Sequence, residues 1–349
     1  MALPYPGDTI GQRISEALFA DYAEANVQPN SGMGVWLWRC AWDIGQNGDV
    51  EQTIAKHRRE WRLALGLTNP NQPTSMRLHI EGRRFVDEAG SEWVWKGTTD
   101  FLLGHRLANG ENITPIIEQR MAAGANVFRV LGMAHNIADF ILGWVGLVNL
   151  AGLLRTYNAY LELTVFADAQ YKMPSQLDQR THFDLAVAAL RNEPNVFLEL
   201  VNEYPQNGVS PAGFIAPHEL LAAQGSGLGD RGPAWPGWSY HTFHERRDWP
   251  KVIGAAVDGF DISTGLPYFE NGVARVYKVA PIVFDEGIGF AEFDQPGRRS
   301  TDSRLARLMA LSYRLLGAGG TFHSEAGLRS ELWGPIQQQC AVEFYRGLQ

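Results

Sequence analysis

The stretch Asn195-Val-Phe-Leu-Glu-Leu-Val-Asn-Glu-Tyr204 decides the fold. Its short apolar run, closed by Asn202-Glu203, reads as a strand whose carboxyl end carries an acid. Similar runs stand on either side along the chain: Asn126 to Leu131, Leu161 to Ala167, Pro281 to Phe284 and, more weakly, Gly319 to His323. Helical segments separate them, and their ends are marked. Thr114-Pro115 supplies an N-cap with proline at the first helical position, and Gly124 stands where that helix should stop. Thr181 can cap a helix that runs out at Asn192-Glu193-Pro194, and Asp302 or Ser303 can cap Arg304 to Leu316 before Gly317. Strand and helix in alternation predict βαβ units and a parallel sheet.

The count favours closure of that sheet. Trp93 to Gln349 makes 257 residues, close to the roughly 250 that eight βα units occupy. The fifth strand must lie between Pro205 and Pro236, with Leu220 to Gln224 as its candidate. Ahead of the first strand, Arg77 to Asp87 and Glu92 to Trp95 alternate with period two around Glu88-Ala-Gly-Ser91, the pattern of a hairpin. Residues 1–75 differ: Ile14 to Ala25 and Asp49 to Leu67 carry apolar residues at helical spacing, separated by the loop Gln28 to Gly34. The expected architecture is therefore α/β: a (β/α)₈ TIM barrel over residues 76–349 with a helical N-terminal extension over 1–75. That extension is expected to pack on the barrel exterior or to make a homo-oligomer.

Composition narrows the partners. The net charge is −8 and no Lys/Arg-rich run occurs, which argues against nucleic acid or an anionic membrane as partner. The most apolar stretch, Phe140 to Leu154, is shorter than the roughly 18–20 residues of a membrane span and reads as a buried or half-buried helix. No signal peptide is visible from Met1 to Gly11, so a cytoplasmic or phage-associated protein is expected. Cys40 and Cys340 exclude a disulfide framework but leave one long-range bridge open. No metal and no cofactor is expected.

In a barrel of this kind chemistry lies at the carboxyl ends of the strands. Two such ends carry glutamates, in Leu200-Val-Asn-Glu-Tyr204 and Val283-Phe-Asp-Glu-Gly287. Glu286 stands 83 residues after Glu203, about three βα units of roughly 30 residues, which sets the two carboxylates across one mouth. Paired carboxyls with separated pKa values can cleave a glycosidic bond, one as proton donor and one as nucleophile or base. Arg129, on an otherwise apolar strand, is costly to bury without a carboxylate partner. Asp285 should point away from its neighbour Glu286 on a strand, a structural residue. His241 and His323 read as structural histidines. Trp235, Trp238 and Trp333 suit core packing and sugar stacking equally.

These pieces together resemble clan A glycoside hydrolases, and among them the family 5 cellulases and mannanases. Asn202-Glu203 and Glu286 match the ends of strands four and seven there. The Arg77–Trp95 hairpin with Lys96-Gly97 is similar to the segment that closes the barrel floor and opens strand one. Gly124-Ala-Asn-Val-Phe-Arg129 resembles the strand-two motif, and Tyr240-His-Thr-Phe-His-Glu-Arg-Arg-Asp-Trp-Pro250 the strand-six motif of mannanases. The resemblance covers residues 76–349. It implies a retaining glycoside hydrolase acting on an oligo- or polysaccharide. Glu203 would be acid/base, Glu286 nucleophile, Arg129 its orienting partner and Asn202 the ligand of the sugar 2-hydroxyl. His244 falls on the strand-six histidine, and Asp168 and Trp238 are further candidates for substrate binding or support.

Two positions depart from the pattern. Arg246 stands where the family has a tyrosine touching the nucleophile, so either Tyr240 or another tyrosine substitutes or the nucleophile is tuned differently. The histidine often found at the end of strand three is replaced by the nearby Asp168. A non-catalytic carbohydrate-binding barrel within a larger assembly such as a virion is the rival reading, opposed by the intact glutamate pair. A barrel of unrelated chemistry is the third.

Overall fold

The computed structural model describes residues 54, 76–204, 206–225, 237–244, 280–287, 289–294, 299–315 and 317–349. The chain divides into the units Met1–Thr74 and Ser75–Gln349. The helices expected at Ile14–Ala25 and Asp49–Leu67 fall outside the described residues, as do Cys40, Trp235 and Arg246.

The second unit is the barrel. Its strands are β1 (Lys96–Thr99), β2 (Val127–Leu131), β3 (Tyr160–Phe166), β4 (Val196–Val201), β5 (Leu221–Ala223), β6 (His241–Phe243), β7 (Ile282–Phe284) and β8 (Gly319–Phe322). They form one eight-stranded sheet in the order β5-β4-β3-β2-β1-β8-β7-β6, with every pairing parallel. The seam between β5 and β6 is drawn together where the Ser239 N–H donates to the Ala222 carbonyl at 2.8 Å. Strands this short still hold, because they are buried between the helix layer and the filled interior, and all but β5 and β6 are paired on both sides.

Helix boundaries follow local chemistry, with shifts. Helix Thr114–Ala123 begins one residue earlier than a Thr114 cap would place it, and Gly124 closes it at φ 118, a left-handed conformation that suits glycine. Helix Gln176–Leu190 starts before Thr181, because the Ser175 hydroxyl accepts from the Asp178 N–H and caps it; Thr181 lies inside, donating to the Leu177 carbonyl. The apolar stretch from Phe140 splits. Phe140–Ile141 pairs with Met133–Ala134, and helix Trp144–Thr156 follows with Leu147, Leu150 and Leu154 buried. Among the described residues, no helix is long and apolar enough to cross a membrane. Cys340 is a free buried thiol, pushed up to about 12 by burial.

Alternation along each strand sorts two environments. Phe128, Val130, Leu161, Leu163, Leu198 and Leu200 face outward into the helix layer, packing with Leu150, Phe183 and Ala186. On the far side Phe284 and Phe322 pack with Met309, Tyr313 and Phe344. Inside, Val127, Tyr160, Phe197, Ala223, Tyr240 and Val283 form an apolar floor with Trp95. The hairpin strands Arg84–Val86 and Glu92–Trp93 seal it from below. Phe85 reaches Trp95, Phe197 and Tyr240 at ring-centroid distances of 5.7, 5.7 and 5.6 Å. Gly97 is required here: a Cβ would stand 2.3 Å from Thr321 Oγ1 and 2.7 Å from Trp95 Nε1. One layer above the floor the interior turns polar, with Arg129, Glu162, Thr164, Glu199, Thr242, Asp285 and Thr321 all buried. That layer is the base of the site.

Candidate active site

Glu203 lies two residues beyond the end of β4 and Glu286 two beyond β7. The strand ends bring them together with His244, which follows β6. One ligand-type atom from each of the three lies within 4.8 Å of the others. His244 Nδ1 stands 3.4 Å from Glu203 Oε1 and 3.7 Å from Glu286 Oε2. Glu203 adopts φ 43, uncommon for a residue with a side chain. Backbone strain of this kind concentrates at functional sites, where the surrounding structure imposes it.

Arg129 ties the site to the layer beneath. Its Nη1 donates to Glu286 Oε1 at 2.7 Å and its Nη2 to Asn202 Oδ1 at 3.0 Å. Behind, Nε and Nη2 both donate to Glu199 Oε2, at 3.0 and 2.6 Å. Arg129, Glu286, Asn202, His244 and Glu203 are thus assembled in one cluster.

Electrostatics differ across that cluster. Burial alone would raise Glu286, but the charges of His244, Arg129 and His323, with the Arg129 hydrogen bond, outweigh it and hold this carboxyl well below its ordinary range. For His244, burial and Arg129 push down while Glu286 and Glu203 push up, and the carboxylates prevail, to about 9. Its Nε2 lies 3.3 Å from Arg129 Nη2, while Nδ1 faces the two carboxylates.

Below, Glu162 is held well above its usual range by burial and by the charges of Asp285 and Glu199. Burial raises Asp285 to about 7, with Glu199 adding to the effect against Arg129. Two residue groups could coordinate a cation by their geometry, Glu199/His244/Asp285 and Glu203/His244/Glu286. Arg129 already neutralises charge in both, at 2.6 Å from Glu199 and 2.7 Å from Glu286.

Other expected site residues take different places. Tyr240 sits in the floor, its hydroxyl 3.0 Å from Glu162 Oε1 and 3.2 Å from the Leu198 carbonyl. Its hydroxyl is committed below the site. Trp238 is buried in the outer core, 6.3 Å from Phe183. Asp168, just past β3, turns at φ 54 and accepts from the backbone N–H groups of His135 and Asn136. It shapes the rim, and Asn207 joins it to the site: Asn207 Oδ1 accepts from the Asp168 N–H, and its Nδ2 donates to the Asn202 carbonyl. Trp333 is a packing residue under Arg120, 3.8 Å from its guanidinium.

Asp285 does not point away from Glu286. It lies 3.5 Å from Arg129 Nε and accepts from Thr321 Oγ1 at 3.0 Å. β7 ends at Phe284, so the period-two rule no longer governs the next residues and both acids reach the same arginine. His323, set aside from the sequence, follows β8, contacts Thr99 Oγ1 through Nδ1 at 3.1 Å and contributes charge toward Glu286. Glu162 and Glu199 drew no notice in the sequence. An acid in the middle of a buried apolar strand, the same signal that marked Arg129, could have found both.

Solved structures share this barrel. A protein assigned as a glycoside hydrolase from Bacteroides vulgatus superposes with a TM-score of 0.57 at 13% identity, over 78% of this chain and 61% of its own. A family 5 glycoside hydrolase from the same organism gives 0.52 at 13%, over 74% of this chain and 64% of its own. The match thus spans less than two thirds of either neighbour. No protein-family model and no curated protein matches the sequence. The molecule is a (β/α)₈ barrel of the form seen in glycoside hydrolases, and its likeness is to family 5. At these identities the comparison establishes the fold, and function rests on the site itself.

Proposed function

We propose that the protein is a retaining β-glycosidase, with Glu286 as nucleophile and Glu203 as acid/base. The observation that carries this reading is the approach of Glu203 and Glu286 around His244, with an oxygen of each within 4.8 Å of the other. Retaining enzymes hold their carboxyls about 5–5.5 Å apart, whereas inverting ones leave roughly 6.5–9.5 Å for a water. Ionised Glu286, fixed by Arg129 at 2.7 Å, attacks the anomeric carbon and forms a glycosyl ester. Glu203 gives its proton to the departing oxygen. It then takes one from water, which opens the ester, frees Glu286 and restores the original configuration. Asn202 is held by Arg129 beside the pair, suited to a sugar hydroxyl.

The test is a hydrolysis screen on aryl β-glycosides and β-linked polysaccharides, with Glu286→Gln as control. On activated substrates, azide should rescue Glu286→Ala to a product of inverted configuration and Glu203→Ala to one of retained configuration. Swapped stereochemistry would reverse the two roles. Sugar binding without turnover in the unaltered protein would leave a carbohydrate-binding barrel instead.

A further inference from the structure

Glu199 lies on β4 one layer beneath Glu203, fully buried and out of reach of any substrate. Its carboxylate accepts four hydrogen bonds: Arg129 Nε at 3.0 Å, Arg129 Nη2 at 2.6 Å and Thr164 Oγ1 at 2.7 Å on Oε2, and Thr242 Oγ1 at 2.7 Å on Oε1. The two threonines come from β3 and β6, on opposite sides of β4 around the barrel wall. They fix the carboxylate, and the carboxylate fixes one edge of the guanidinium. A guanidinium is planar and rigid, so holding Nε and Nη2 aims Nη1. Here Nη1 points at Glu286. A competing partner is near, since Asp285 Oδ2 lies 3.5 Å from Arg129 Nε and has no hydrogen-bond partner among the described residues.

We propose that Glu199 is a positioning residue: clamped by Thr164 and Thr242, it orients Arg129 toward Glu286 rather than Asp285. This rests on the glycosidase reading for its consequence in catalysis, though not for its effect on Glu286. A merely electrostatic Glu199 would act in the opposite direction, because a nearby negative charge disfavours ionisation of Glu286.

Two variants separate geometry from charge. Glu199→Gln keeps the shape and can still accept from Arg129 with its amide oxygen, while Thr242 turns to accept. Glu199→Leu removes both clamp and charge. The pKa of Glu286 is to be read by carboxyl-carbon NMR titration in each, alongside kcat and KM. Glu199→Leu should weaken Glu286 as an acid about tenfold or more and lower kcat about 10²-fold, the scale of a 1 Å misplacement, with KM little changed. Glu199→Gln should leave Glu286 unchanged or more acidic and restore most of kcat. If Glu199→Leu does not fold, the Thr164→Val/Thr242→Val double variant keeps the charge and should move Glu286 in the same direction as Leu, by less. Glu286 unmoved or more acidic in Glu199→Leu, or unmoved in the double threonine variant, overturns the proposal. The titration needs no turnover, so an inactive protein would refute the glycosidase reading while leaving this result to stand.

Discussion

Among the described residues two arginines are buried without exposure, Arg120 and Arg129, and their partners differ in kind. Arg120, on helix Thr114–Ala123, meets Asp100 through Nε and Nη2, both at 3.1 Å, and donates to the Glu331 carbonyl and Gln119 Oε1. Trp333 covers its face at 3.8 Å. Each of those partners belongs to the scaffold. Arg129 is equally saturated, but its contacts divide between the interior carboxylate Glu199 and the mouth residues Asn202 and Glu286. Burial and pairing alone therefore do not mark a functional arginine. Under the proposed function, what marks it is a partner at the strand ends whose charge the chemistry would use.

Substituting each arginine should separate the two roles most sharply. Arg129→Lys keeps one charge but cannot serve Glu199, Asn202 and Glu286 together, and kcat should fall about 10²-fold or more. Arg120→Ala leaves Asp100 buried without its partner and should cost about 3–5 kcal/mol of stability, with kcat of the folded fraction retained. Denaturant titration beside steady-state kinetics measures both. Equal loss of activity at matched folded fraction would collapse the distinction.

Phe85 extends the comparison to the apolar floor. Phe85→Ala opens a cavity under Trp95, Phe197 and Tyr240 and should cost about 3–5 kcal/mol, seen as a lowered midpoint with unchanged KM.

The interior acids forecast a pH dependence. Asp285 is raised from 3.8 to about 7 and Glu162 is raised from 4.5, so the folded state holds protons that the unfolded chain releases. Their contribution is most favourable below those ordinary values and is lost as pH rises, through about 7 for Asp285. Glu286 is lowered from 4.5, so its contribution is present above that value and is lost as pH falls below it. His244, raised to about 9, acts in the same direction as Asp285, and His241, lowered to about 4 by burial, in the opposite one. The test is therefore a difference: from pH 5 to 8 the thermal midpoint of the unaltered protein should fall relative to that of Asp285→Asn. A difference that stays constant or rises over that range would contradict this account of the interior.

The smallest effect is expected at Trp238. Its side chain lies in the outer core, so Trp238→Phe should lower stability by about 1–3 kcal/mol and leave KM for any glycan unchanged. A raised KM on polysaccharide alone would restore it as a sugar platform.

The sequence by itself determined the strand runs, the barrel count, the hairpin beneath it and the two glutamates at strand ends. Apolar runs and end residues are local signals, and the barrel repeats them. Even the three-residue β5 was legible at Leu220–Gln224, because a turn-rich stretch left it nowhere else to lie. Tertiary structure decided what stands inside. On strands buried on both faces no polar alternation marks the interior side, so Glu162 and Glu199 looked like interruptions rather than a layer. Tyr240 and Trp238 had residue types suited to a sugar site, and only packing assigned them to floor and outer core. Asp285 and Glu286 were adjacent letters expected on opposite faces. The chain leaves the strand before either is placed, and Arg129, more than 150 positions away, holds both. Charges meeting across a barrel are set by the register and closure of distant strands, which no local run encodes.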